Sequence, residues 1–334
     1  MSFKSIFVSA ALAAGIIATP VMAEEVTLRM ATAAPSKTIW QQQFDKFAAD
    51  VAEETGGNVK IEIFYNSQLG PGNTVLPQVM RGRIDMGAFS TAEIADQLRD
   101  AYLVNMLHYY TDMDERMCIL TAVQDDYQTL LSPTGLRVLD WSEVGSIQLS
   151  GKTAFTSPDD LKGVRHGGAA NPITNLYWEK MGAYPSMVSV PEAASAISTG
   201  LIDVYPTIPV LYMFAGINQV APVLSKIDIG LPPGVIVINE RVWEGLSEEN
   251  KAGIARAQAR SPFAERSAAF YAFENQLFEM HRGNGGTVAE PTAEEAAKWR
   301  DGIDAYYAEI LKDSSPEGLK FWAELEAARA DCAK

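Results

Sequence analysis

Ser157-Pro158-Asp159-Asp160-Leu161-Lys162-Gly163-Val164-Arg165-His166-Gly167-Gly168 opens a stretch that runs on to Val204-Tyr205-Pro206-Thr207. Val164–His166 reads as a strand, Pro172–Met181 as a helix and Ser186–Val190 as a strand. Glu192–Ser198 then reads as a helix and Val204–Tyr205 as a strand. Short apolar runs separated by helical segments predict an α/β layer with a largely parallel sheet.

The same alternation occurs nearer the N-terminus. Glu25–Ala31 sets Val26, Leu28 and Met30 against Thr27 and Arg29, and Val59–Phe64 puts Val59, Ile61 and Ile63 on one face. Between them Trp40–Glu54 carries Phe44, Phe47, Ala48 and Val51 at helical spacing, and Gly56-Gly57 stops it. Asn73–Arg81 is a predicted helix. Ile84–Phe89, Leu136–Trp141 and Ser146–Ser150 are predicted strands. The pattern restarts near Leu149. Residues 24–149 with about 232–265 are therefore expected to form one domain, and 150–231 with about 266–334 a second. Leu231–Ile238 is read as a strand returning to the first domain. The remainder reads as helices over Glu248–Ala259, Phe263–Met280, Ala293–Ile310 and Ser315–Ala330.

Residues 1–23 have the form of a signal peptide: Lys4, the apolar run Ile6–Met22, and the small-residue site Val21-Met22-Ala23. Cleavage after Ala23 removes Lys4 and takes the formal charge from −15 to −16. That acidity argues against nucleic acid as a partner, since phosphate contacts need clustered bases. In an oxidising compartment Cys118 and Cys332 are compatible with a disulfide or with two separate thiols. Two cysteines and three histidines without close spacing offer no metal site, and no cofactor is expected. Hydrolase chemistry would need paired acids. Asp125/Asp126, Asp159/Asp160 and Glu248/Glu249 read instead as helix ends, and no Gly-x-Ser-x-Gly, His-Glu-x-x-His or phosphate-binding loop occurs. The chain is read as a binding protein and not an enzyme.

Several segments in order resemble one family. They are Tyr65-Asn66-Ser67-Gln68-Leu69-Gly70, Gly82-Arg83-Ile84-Asp85-Met86, Gly135-Leu136-Arg137-Val138-Leu139, Trp141-Ser142-Glu143-Val144-Gly145, and the opening stretch with Val190-Pro191-Glu192-Ala193 and Gly200-Leu201-Ile202-Asp203. Together they resemble the periplasmic solute receptors of TRAP transporters, the dicarboxylate-type branch. The resemblance implies two α/β domains joined by crossing strands and braced by a long helix, closing on one small molecule. It also implies a membrane permease, driven by an ion gradient, as the partner. A monomer is expected.

By the same resemblance, the family's carboxylate-gripping arginine falls at Gly167. A guanidinium holds a carboxylate through two parallel bonds that neither glycine nor the neighbouring His166 can reproduce. Tyr205-Pro206-Thr207 likewise replaces the family's polar Gln-Glu-Asn. Trp141 and Glu143, two apart on an extended segment, can share a face, and an indole beside a carboxylate suits an ammonium. Trp40, Phe89, Ser90, Tyr205 and Thr207 are candidates for the rest of the pocket, with Tyr177 or Trp178. The reading is a small amine or amino alcohol, ethanolamine-like in size, or a zwitterion. The alternative is an organic acid held by Arg165, Lys152 and backbone amides.

Overall fold

The structure is a computed structural model that describes residues 25–168 and 171–333. The signal-peptide segment 1–23 lies outside the described residues. Among the described residues there are eleven strands: β1 (Val26–Thr32), β2 (Val59–Phe64), β3 (Met86–Ser90), β4 (Leu136–Glu143), β5 (Ile147–Gly151), β6 (Arg165–Gly168), β7 (Tyr184–Met187), β8 (Val204–Thr207), β9 (Val223–Gly230), β10 (Pro233–Asn239) and β11 (Thr287–Ala289). They build two sheets, ordered β2-β1-β3-β10-β4 and β11-β9-β5-β8-β6-β7.

In the first sheet β1, β2 and β3 are parallel, while β10 enters antiparallel between β3 and β4. All seven residues of β10 are buried. Its run Val235–Ile238 is continuous rather than alternating because helices cover both faces of the strand. The strand therefore returns from the second sheet to the interior of the first, between β3 and the edge strand β4. The chain crosses between lobes at Val144–Ser146, from β4 to β5, and at Leu231-Pro232, from β9 to β10.

Helix Phe263–Gly283 makes a third connection. Its buried stripe is Arg266, Phe270, Glu274, Leu277, Phe278 and His281, spaced by three and four residues. Arg266 bonds Asp140 of β4 at 2.5 Å, and His281 meets the hydroxyl of Tyr212 in the second lobe at 3.0 Å. With a rise of about 1.5 Å per residue this helix is long enough to brace both lobes.

The segment Ala293–Ile310, read as one helix, is two: Ala293–Lys298 and Ile303–Leu311. The first ends at Trp299, and Gly302, at φ +73° in the left-handed region, stands at the N-cap of the second. Strand β9 gave a weak sequence signal: Lys226 and Asp228 alternate with Ile227 and Ile229, but the adjacent Val223-Leu224 and Ser225-Lys226 pairs interrupt the pattern at its start. A further difference concerns the C-terminal helix. It was expected with the second domain, but Pro316–Cys332 packs on Met113–Ala122 and Gln124–Leu131 of the first lobe. Phe321 and Leu325 are buried there, and a Cys118–Cys332 disulfide fixes its end.

Candidate ligand-binding cleft

The carboxyl ends of β1 and β3 in one lobe and of β6 and β8 in the other face the two chain crossings, the position where open α/β sheets take ligands. The registers place Ser90 and Glu143 beside Gly234 and Pro233 in the first lobe, and Thr207 beside Gln148 in the second. A small cavity opens at the ends of β1 and β3, lined by Thr32, Ser67, Gly70, Gly72 and Phe89 among others. A larger cavity than this, about 510 Å³, lies elsewhere, between helix Pro172–Lys180 and the helices after Ala293. It is an open groove lined by Lys180, Lys298, Asp159 and Asp301, remote from the strand ends.

Two anticipated pocket residues belong to the interior. The Trp141 indole donates to the carbonyl of Leu120 at 2.9 Å and packs 5.0 Å from Tyr127, on the helical side of the first sheet. Glu143 is a closed ion pair. Arg116 holds it with two parallel bonds of 2.9 and 3.0 Å, both side chains fully buried, and Tyr271 donates a third bond at 3.2 Å. Nε of Arg116 also donates to Leu231 of the crossing strand. The acid assigned to an ammonium therefore already has its cation. Arg116 gave a readable signal: on Met113–Ala122 it shares a face with Ile119 and Leu120, the place of a core residue.

Arg165 is corrected as well. It pairs bidentately with Asp203 at 2.9 and 2.6 Å, half exposed to solvent. Arg165 starts β6 and Asp203 precedes β8, so the pair lies at the end of the sheet away from the cleft. Lys152, just past β5, lies near the same aspartate. His166 is buried against Trp178 with ring centroids 4.3 Å apart, and neither ring nitrogen has a hydrogen-bond partner. Burial pushes its imidazole down to about 3, so the ring is neutral.

Gly167 has no room for a side chain. A Cβ there would lie 2.5 Å from Ile202 and 2.8 Å from the Tyr205 ring, inside the second lobe's core. Tyr205 itself is buried, its hydroxyl directed at the carbonyl of Val188 at 3.4 Å. Thr207 is buried beside Ile208, and Tyr177 donates to the carbonyl of Trp299. Trp40 wedges between the lobes, its indole donating to the Glu143 carbonyl at 2.7 Å and packing on Phe270. Phe89 and Ser90 remain at the cleft end of β3, Phe89 against the small cavity and Ser90 capping helix Thr91–Ala95.

Sequence reasoning missed the polar groups at the crossings. Glu274 accepts from the amide of Ser146 at 3.2 Å and from its hydroxyl at 2.8 Å. Gln148 donates to Ser146 and to Asp228 at 2.8 and 2.6 Å, while its carbonyl takes the amides of Ile227 and Asp228. Asp228 adopts φ +52°, unusual for a residue with a side chain. Glu274 stands one turn after Phe270 on the buried stripe, the one available signal.

Burial pushes the Glu274 carboxyl up to about 8, against the Ser146 bonds, with the charges of Asp228 and Glu143 adding to the shift. Its ordinary value is 4.5, so between those limits the folded chain holds a proton that the unfolded chain releases. The stability this group contributes is complete below about pH 4.5 and is lost as pH rises through about 8. Glu274→Gln is expected to flatten that slope, with a relative gain on the order of 2 kcal/mol at pH 9. Urea midpoints from pH 5 to 9 that fall in parallel for both proteins would contradict it.

This two-lobed α/β architecture, hinged at two chain crossings, defines a solute receptor. A model of the bacterial extracellular solute-binding proteins of family 7 (DctP) matches residues 30–314. The chain belongs to this family, the periplasmic solute receptors of TRAP transporters, and is a binding protein rather than an enzyme. It is 23% identical over 318 residues to the C4-dicarboxylate-binding periplasmic protein DctP of Rhodobacter capsulatus, covering 94% of each chain. It is 22% identical over 239 residues to the ectoine-binding periplasmic protein TeaA of Halomonas elongata, covering 67% of this chain and 70% of that one. A TRAP solute-binding protein from Roseobacter denitrificans, solved with β-D-glucuronate, matches at TM-score 0.82 and 21% identity, over 90% of this chain and 99% of the other. Among the described residues no helix is long and apolar enough to cross a membrane.

Proposed function

We propose that the protein captures a small polar solute between its lobes in the periplasm, as a monomer freed of residues 1–23, and delivers it to a TRAP membrane permease. We propose further that the solute is an amine, an amino alcohol such as ethanolamine, or a zwitterion. The observation carrying this reading is Gly167: its side-chain direction is filled by Tyr205 and Ile202, so β6 offers no guanidinium fork. Arg116 has its charge matched by Glu143. Glu93 and Asp228, near the strand ends and crossings, are acids, while burial keeps Glu274 protonated below about pH 8, so it offers a hydrogen bond rather than a charge. A buried ligand charge needs a complement, so this wall favours a cation over an anion.

An organic acid is the second reading, favoured by relatives whose ligands are a C4-dicarboxylate or glucuronate. It would rest on backbone amides, since Arg165 is paired with Asp203. Calorimetric titration with ethanolamine, succinate and D-glucuronate separates the two. Heat and saturation with ethanolamine alone are expected. Tight binding of either acid with no response to the amine would reject the cationic reading and leave the receptor assignment standing.

A further inference from the structure

The chain from Ala293 to Leu311 lies across both lobes, and neighbouring residues on it divide the lobes between them. The Trp299 indole donates to the carbonyl of Thr156 in the second lobe at 2.9 Å, while Arg300 donates to the carbonyl of Tyr110 in the first at 3.1 Å. The Tyr306 hydroxyl donates to the carbonyl of Ile173 in the second lobe at 3.1 Å, and that of Tyr307 to the carbonyl of Leu107 in the first at 2.7 Å. Two outer bonds repeat the division. The Thr156 hydroxyl donates to Glu295 at 2.9 Å, and Arg99 donates to the carbonyl of Ile310 at 3.1 Å. Beneath this segment the lobes meet directly. The Tyr177 hydroxyl donates to the carbonyl of Trp299 at 3.2 Å, so it accepts from Nε2 of His108 at 2.9 Å.

The segment and the long helix Phe263–Gly283 stand on opposite faces of the first sheet. Trp299, Tyr306, Tyr307 and Ile310 belong to the core that Val235 and Val237 of β10 enter. Phe270 and Leu277 belong to the core that Ile236 and Ile238 enter from the other side of the same strand. The chain crossings, which continue β4 and β10, therefore run between two bridges. Bending the lobes toward either face would stretch one bridge and compress the other, parting buried bonds that are costly to leave unmade. Rotation about a line from bridge to bridge stretches neither.

We propose that Ala293–Leu311 is a strap that, together with the long helix, confines the movement of the lobes to one hinge axis. The inference concerns the joint and holds whichever solute the cleft takes. Arg300→Ala with Tyr307→Phe cuts the strap's bonds to Tyr110 and Leu107 of the first lobe and leaves its second-lobe bonds in place. Tyr307→Phe alone is the milder form. Tyr110→Phe, which loses a bond to Val104 inside the first lobe, is the control.

Spin labels at Gln68→Cys, just past β2, and Met187→Cys, at the end of β7, report the distance across the cleft from two exposed positions, with the native cysteines held in their disulfide. Pulsed electron spin resonance on the solute-free proteins is expected to give a broader distance distribution in the double variant than in the parent. Tyr307→Phe should broaden it less, and Tyr110→Phe should reproduce the parent. A double variant that folds and keeps the parent's distribution overturns the proposal. Equal broadening in Tyr110→Phe overturns it too, since that would mark general loosening. A double variant that does not fold leaves the decision to Tyr307→Phe, where an unchanged distribution overturns the proposal.

Discussion

Glu143→Ala is expected to lower the stability of the protein by about 3–5 kcal/mol, because it leaves the Arg116 guanidinium buried without its counter-charge. Arg116 and Glu143 are both fully buried, and two parallel bonds join them. Arg116 also holds the carbonyl of Leu231, so the unmatched charge would sit beside a strand that links the lobes. Replacing both partners with apolar residues, Arg116→Met with Glu143→Leu, is expected to cost less than the single alanine change, since no isolated charge then remains. Urea unfolding of the three proteins is the measurement. A loss under about 1 kcal/mol for Glu143→Ala would show that water or a shifted side chain relieves the guanidinium.

Removing the disulfide is the second large change. Cys118 and Cys332 are 214 positions apart, and closing a loop of that length is worth about 5 kcal/mol in chain entropy, with 2–5 kcal/mol the usual observed range. The paired variant Cys118→Ser/Cys332→Ser should unfold at lower urea than the oxidised parent, and adding reductant to the parent should reproduce that shift. The variant itself should not respond to reductant. Indifference of the parent to reductant would mean that the bond is absent or that the C-terminal helix holds its place without it.

Much of the fold could be read from local signals. Phe44, Phe47 and Val51 are buried on helix Ile39–Glu54 as their spacing predicts, with Ala48 half-buried beside them, and the long helix begins at Phe263 as expected. The sequence hid what depends on partners distant in the chain. The C-terminal helix looks alike whichever lobe it joins, and only Phe321, Leu325 and Cys332 meeting the first lobe decide it. Trp141 and Glu143 show the limit for the cleft. Alternation placed them on a shared side of a strand, but which side faces solvent depends on helix Met113–Ala122 packing over them. Gly167 was legible as a departure from the family pattern. Its cause, the Tyr205 ring in the vacated space, needed coordinates.

Glu143, Arg116 and Tyr271 satisfy one another where the chain passes from lobe to lobe, and Glu274 grips Ser146 one turn further along the long helix. A joint knitted this way resists sliding, because a slip would strip several shielded bonds at once, each expensive to leave unmade. It tolerates rotation, since strand torsions can change by small amounts without any of those bonds parting. The halves should therefore swing as rigid plates, and admitting or releasing cargo requires no local melting at the pivot.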